Sequence, residues 1–399
     1  MPHFRLIAVA LLSSVFASAA TYRFGAIWDG SKVWKDACVT TKGDRIESVG
    51  ACSGTVVDLS RYTAIPGLID VHTHLTYVLE NRVSQAGRGA AVVFLAQDNA
   101  RKTLEAGVTT VRDLGASEYA DIAMRDLINN GQMVGPRMFV AGYGLMITRG
   151  RTPTPNTADG PAEVLRVVRQ QVGAGADWIK MYGSTGSGRD VTGFQTFTFE
   201  EMKAAVDAAH ALGKRIAIHT YGPDGARDAV RAGADSVEHA TDMDDATIAE
   251  MARRKTFYVP TIDHNRYYVD NYRKLNYPAK AVDDLNAYIQ RNLETARKAF
   301  AAGVRFAMGS DAVYTMFGEN TRELGWFVKA GMTPEQALQT ATTGAAELLG
   351  MEKSLGAIRP GSLADVVAVE GDPLANIDVA IQNVRWVMKG GEVVMDKTK

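Results

Sequence analysis

A His-x-His pair, His72 and His74, closes one short apolar run, and four further runs close on Lys180, His219, His239 and Asp311. The pair lies in Pro66-Gly67-Leu68-Ile69-Asp70-Val71-His72-Thr73-His74-Leu75, a stretch with the length and punctuation of a buried strand. A strand puts residues i and i+2 on one face, so both imidazoles aim at one spot. Imidazole nitrogen is a good zinc ligand, although a structural His-x-His pair would look the same by itself. The other runs argue for more. Lys180 closes Ala176-Asp177-Trp178-Ile179-Lys180-Met181-Tyr182, His219 ends Arg215-Ile216-Ala217-Ile218-His219, His239 ends Asp235-Ser236-Val237-Glu238-His239, and Asp311 follows Val304 to Ser310. Functional groups at the C-terminal ends of strands are the mark of a (β/α)8 barrel.

The rest of the chain fits that architecture. Strand-like runs at Thr109 to Leu114, Arg137 to Ala141, Ile179 to Tyr182, Ile216 to Thr220, Ser236 to Ala240, Phe257 to Ile262 and Phe306 to Ser310 join the His72 strand to give eight. Helical patterns such as Phe199 to Leu212 and Ala246 to Arg254 intervene, as parallel crossovers require. Thr21 to about Ala64 alternates like a small β-domain, and Ile358 to Val394 returns to strand patterning. The fold class expected is therefore α/β: a (β/α)8 TIM barrel over residues 65–357, with a small β-sandwich built from both chain ends, 21–64 and 358–399. At 399 residues there is room for both.

The strings PGLIDVHTHL (66–75), EAGVTTVRDLG (105–115), GPRMFVAG (135–142), GADWIKMYGSTG (175–186), IAIHTYG (216–222), SVEHATDMDD (236–245), MGSDA (308–312) and LGAIRPGSLADVVAVEGDPL (355–374) resemble the amidohydrolase superfamily along nearly the whole chain. Within it the chain is most similar to secreted bacterial metallodipeptidases and carboxypeptidases of the prolidase-like, imidazolonepropionase-related kind. The resemblance implies two divalent ions, zinc by preference. His72, His74 and Asp311 would hold the more buried ion and His219 and His239 the more exposed one. Lys180, carboxylated to N6-carboxylysine, would bridge them. Chemistry explains the lysine, because an ammonium has no lone pair and repels cations while a carbamate is an anionic oxygen ligand. A structural or anion-binding lysine beside a single ion is the other reading.

From these ligands follows an expected mechanism. A zinc-held water has its pKa lowered from about 15.7 towards 7, giving a hydroxide at neutral pH that attacks the substrate carbonyl. Asp311 would carry the proton to the leaving amine, or serve as a ligand alone. Tyr221, two residues after His219, would either donate to the developing oxyanion or simply pack. His264, in Asp263-His264-Asn265, is expected to contact substrate, and His210 to be structural.

The substrate expected is a dipeptide or N-acyl amino acid. A carboxylate on it would favour an arginine fork, for which Arg149, Arg151 and Arg189 are candidates, the first two on the polar loop Thr148 to Asp159. A Gly-Gly-His motif frequent after strand 3 in similar peptidases is replaced here by Gly142-Tyr143-Gly144, and Ala-Thr-Gly-Gly after strand 4 by Tyr182-Gly183-Ser184-Thr185-Gly186. Two alternatives remain. One is a cyclic-amide hydrolase or deaminase using one ion at His72, His74, His219 and Asp311; the other is a catalytically silent metal-binding barrel.

A formal net charge of −1 gives no pull towards nucleic acid or anionic membrane. Residues 1–20 read as a signal peptide: Arg5, the apolar run Leu6 to Phe16, then Ala17-Ser18-Ala19-Ala20 with cleavage after Ala19 or Ala20. The mature enzyme is thus expected in the periplasm or outside the cell, free of the membrane, as a homo-oligomer acting on small molecules. Cys38 and Cys52, the two cysteines, flank a hairpin turning at Lys42-Gly43-Asp44 and are near enough in sequence to pair if the strand register allows.

Overall fold

The two ends of the chain meet in one sheet, which a computed structural model of residues 19–78, 88–148, 154–188 and 190–399 describes. Residues 1–18, most of the expected signal peptide, lie outside the described residues, as do Arg149, Arg151 and Arg189. Four strands come from the N-terminal end: β1 (Ala19–Trp28), β2 (Val33–Lys42), β3 (Arg45–Gly50) and β4 (Val56–Pro66). Cys38 and Cys52 form a disulfide, with Cα atoms 5.1 Å apart.

Eight segments then build the barrel: β5 (Leu68–Thr73), β6 (Val108–Asp113), β7 (Arg137–Val140), β8 (Trp178–Tyr182), β9 (Arg215–Thr220), β10 (Ser236–His239), β11 (Phe257–Val259) and β12 (Arg305–Phe306). Between them run α1 (Arg88–Glu105), α2 (Ala120–Asn129), α3 (Pro161–Gly173), α4 (Phe199–Ala211), α5 (Pro223–Ala232), α6 (Asp245–Arg254), and the pair α7 (Ile262–Asp270) and α8 (Ala279–Ala301). The strands pair in parallel as β5-β6-β7 and β8-β9-β10-β11-β12. Isolated backbone bonds close the gaps: Asp177 N–H to Val140 O at 2.8 Å on one side, and Val71 N–H to Met308 O at 2.9 Å, Asp311 N–H to His72 O at 2.7 Å and His74 N–H to Ala312 O at 3.1 Å on the other. Most barrel strands are buried on both faces, which is why they read as continuous apolar runs. Helix α4 begins on a capping box, with Thr198 and Glu201 each satisfying the other's backbone N–H.

After α9 (Glu323–Lys329), α10 (Pro334–Thr340) and α11 (Thr343–Leu349), the chain returns as β13 (Val366–Val369), β14 (Val384–Lys389) and β15 (Glu392–Asp396). The terminal sheet runs β15-β14-β13-β4-β1-β2-β3. Along β13 the pleat alternates between two cores: Val366 and Ala368 pack with Phe24, Ile27 and Trp386, while Val367 and Val369 pack with the barrel. Strand β4 itself continues past residue 64 and pairs Ile65 and Pro66 with Val367 and Val366. Among the described residues, no helix is long and apolar enough to cross a membrane.

Two expected strands are shorter than their apolar runs. β11 stops at Val259, because Pro260 has no N–H to give, Thr261 turns left-handed (φ 50°), and Ile262 already opens α7. β12 covers Arg305–Phe306, and the residues after it run beside His72 without a regular ladder. Gly309 permits that approach: a Cβ there would stand 2.7 Å from the Cβ of His72 and 2.5 Å from Val259 Cγ1.

Candidate metal centre

Local devices in and beyond the barrel strands place several of the six residues. Asp70 latches the first to the last: its carboxylate accepts from the N–H of His72 (3.1 Å), from the N–H (2.9 Å) and hydroxyl (2.5 Å) of Ser310, and from Asn320 Nδ2 (3.0 Å). That holds His72 next to Asp311. His239 and Asp311 both adopt left-handed backbone, φ 70° and 52°, a conformation that non-glycine residues keep only where the surroundings impose it.

The six side chains come together and are all buried. Ring centroids lie 5.4 Å apart for His72 and His74, 5.1 Å for His72 and His239, and 4.5 Å for His219 and His239. Asp311 Oδ1 stands 3.2 Å from His74 Nε2 and 3.5 Å from His72 Nε2, and Lys180 Nζ is also 3.5 Å from His72 Nε2. His72, His239 and Asp311 each bring one candidate ligand atom to within 4.8 Å of the other two.

What the other ring nitrogens do decides the chemistry. His72 Nδ1–H donates to Glu238 Oε2 at 2.7 Å, His74 Nδ1–H donates to the Gly115 carbonyl at 3.1 Å, and His239 Nδ1 sits 2.6 Å from Thr261 Oγ1. In His72, His74 and His239 this leaves Nε2 for the cluster's centre, the usual arrangement of metal-binding histidines. His219 Nε2 is buried with no hydrogen-bond partner, an orphan acceptor of the kind a metal ion satisfies.

Electrostatics point the same way. Burial, with Lys180 next in weight, lowers His72 to about 4, and burial drives His219 and His239 well below their ordinary range, so these imidazoles are neutral and keep a lone pair. Burial also brings the Lys180 ammonium down to about 8. Burial would raise Asp311, but the neighbouring His264 and His74 hold its carboxyl well below the usual carboxylate range. A donor set of four imidazoles, one carboxylate and a buried amine fits divalent cations of the zinc type.

The remaining candidates fall differently. Tyr221 stacks on His219 at 5.1 Å and on Tyr288 at 4.9 Å, and its buried hydroxyl has no hydrogen-bond partner. The loop after β8 presses on it, since a Cβ at Gly186 would lie 2.2 Å from the Tyr221 ring and one at Gly188 2.0 Å from Tyr268. His264 is turned to Asp311 by its Nδ1. His210 lies on α4 away from the cluster, with Nε2 2.9 Å from Asp235 Oδ2. Sequence reasoning passed over Glu238, Arg112 and Thr261, which hold the ligands from behind. The signal was there for two of them: Arg112 and Glu238 are charges set inside fully buried strands.

Residues 63–394 match the Amidohydrolase family. An ochratoxinase of Aspergillus niger is 30% identical over 372 residues, covering 82% of this chain and 75% of its own. An imidazolonepropionase of Streptomyces avermitilis is 25% identical over 396 residues, covering 90% and 84%. Among solved structures, a Xaa-Pro dipeptidase with methionine bound in its active site superposes with a TM-score of 0.86 at 33% identity, covering 94% of this chain and 99% of that one.

Proposed function

The chain belongs to the amidohydrolase family and is a hydrolase of amide bonds; from that premise we propose that it cleaves the amide of a dipeptide or N-acyl amino acid, with two zinc-type ions as cofactors. His72, His74 and Asp311 would hold the inner ion, His219 and His239 the outer, and Lys180, as its carbamate, would bridge them. The observation that carries this is the convergence of buried imidazoles, three of them with their outer nitrogens already occupied, around an ionised Asp311 and a Lys180 that burial brings down to about 8. When bound, the ions would supply a nucleophile at neutral pH by acidifying water and would polarise the scissile carbonyl.

The chain's own groups do the rest. Burial makes Lys180 a better nucleophile towards CO2, forming an N–C bond and releasing one proton. Asp311, with one oxygen towards His74 and the other towards His264, accepts the proton of the attacking water at a carboxylate oxygen and delivers it to the leaving amine nitrogen. The unpartnered Tyr221 hydroxyl donates to the carbonyl oxygen as charge develops there. The methionine in the similar dipeptidase structure is a free amino acid, which favours substrates carrying an α-carboxylate.

Export to the periplasm or beyond is part of the proposal, supported by the apolar run Leu6 to Phe16 and by the Cys38–Cys52 disulfide, a bond that persists in oxidising compartments. The test is a dipeptide and N-acyl amino acid library on zinc-loaded enzyme, with products read by mass spectrometry. Turnover in neither set, against activity on cyclic amides with one ion bound, would favour the imidazolonepropionase-like alternative. Failure across amides, esters and lactones would leave a binding barrel.

A further inference from the structure

Two opposite charges face each other inside the barrel, out of reach of solvent. Arg112 on β6 and Glu238 on β10 both have 0% of their surface exposed, and Arg112 Nη2 stands 2.9 Å from Glu238 Oε1. The other two guanidinium nitrogens are engaged as well: Nη1 donates to Ser236 Oγ at 2.9 Å and Nε donates to the Val71 carbonyl, while Cζ lies 4.4 Å from the centre of the Trp178 ring. The Ser236 hydroxyl donates to the same Oε1. The second carboxylate oxygen, Oε2, takes the Nδ1–H of His72. One chain of contacts therefore runs Trp178, Arg112, Glu238, His72.

Burying an ion pair does not in general stabilise a protein more than well-packed apolar residues of the same volume would. Stability alone is thus a poor account of why a barrel lumen should hold one, and the pair ends on a candidate metal ligand. We infer that Glu238 is the positioning residue of His72, anchored by Arg112, and that the pair fixes the proton on Nδ1 so that the Nε2 lone pair faces the metal set. The inference rests on the metal-centre reading above. Without a fixed acceptor behind it, His72 could carry its proton on Nε2 and present no lone pair at all.

The rival account is a cross-brace that only ties β5, β6 and β10 together. The two differ in what a folded variant does. In Glu238→Gln the side-chain amide can offer its NH2 to Nδ1, which inverts the tautomer without changing the shape. Zinc affinity, measured by competition with a chromophoric chelator, should then fall about 10- to 100-fold, the usual cost of losing such a partner. Nitrogen-15 NMR of the metal-free protein should show His72 as the Nδ1–H tautomer in the wild type and as Nε2–H in the variant. Arg112→Met combined with Glu238→Gln removes both charges together and should leave zinc equally weak.

Wild-type zinc affinity in any folded member of this set overturns the inference, and so does an Nε2–H tautomer in the wild type, a measurement that needs no variant to fold. If the wild type itself binds no divalent ion tightly, the metal-centre reading fails instead.

Discussion

His264 Nδ1 stands 2.8 Å from the carbonyl oxygen of Asp311 and 3.3 Å from its Oδ2. One imidazole thus secures both the left-handed backbone and the carboxylate of the residue assigned to proton transfer. Asparagine at this position keeps one oxygen for ligation but cannot carry a proton. Asp311→Asn should lower kcat by about 10²-fold or more with metal content preserved, as read by steady-state kinetics beside metal analysis. Near-normal turnover with both ions in place would reduce Asp311 to a ligand.

Lys180 supplies the second test. Alanine removes the proposed bridging ligand, so Lys180→Ala should lose metal and activity together. Short carboxylic acids at high concentration should restore part of both by standing in for the missing oxygen ligand. Two tightly held ions and ordinary rates in the variant would end the bridging assignment.

The same lysine imposes a pH dependence on assembly. Burial lowers its ammonium to about 8, and only the neutral amine can attack CO2. Below that pH the reactive fraction falls about tenfold per unit, and above it the fraction levels off. Recovery of activity by metal-free protein given zinc, at fixed dissolved CO2, should therefore accelerate with rising pH and flatten beyond about 8. A rate independent of pH across that range contradicts carbamate formation as the limiting step.

Substrate recognition can be tested without any variant. If the free α-carboxylate is bound, amidating it in the best dipeptide should cut kcat/KM by at least about tenfold, roughly 1.4 kcal/mol. Equal rates for the free and amidated forms would mean that a neutral or cyclic amide is the better description of the substrate.

All six ligand candidates were legible in the sequence because each sits where an apolar run ends, and in a parallel barrel that place is the mouth. What lay behind them was harder to read. Glu238 and Arg112 occupy strands buried on both faces, so no alternation separates an inward charge from its neighbours, and their pairing spans 126 residues. The apolar run through Phe257 overstated β11, since the turn at Thr261 depends on a distant group: Glu323 accepts from the N–H groups of Ile262 (2.9 Å) and Asp263 (2.8 Å) to start α7. His264 looked like a substrate contact because it follows a strand, but its direction is set by the backbone of Asp311, which no local pattern reveals.

Because β13 lines the terminal core with Val366 and Ala368 and the barrel with Val367 and Val369, the order of synthesis becomes a constraint on folding. Val384, Val387 and Met395 belong to the barrel's core as well. The barrel half thus cannot seal until residues near 395 are in place. Until then a nascent chain already holding all six ligands has an open wall, exposed to proteases and to other chains. A short deletion at that end, over 80 residues beyond Asp311, should therefore loosen the barrel's own core.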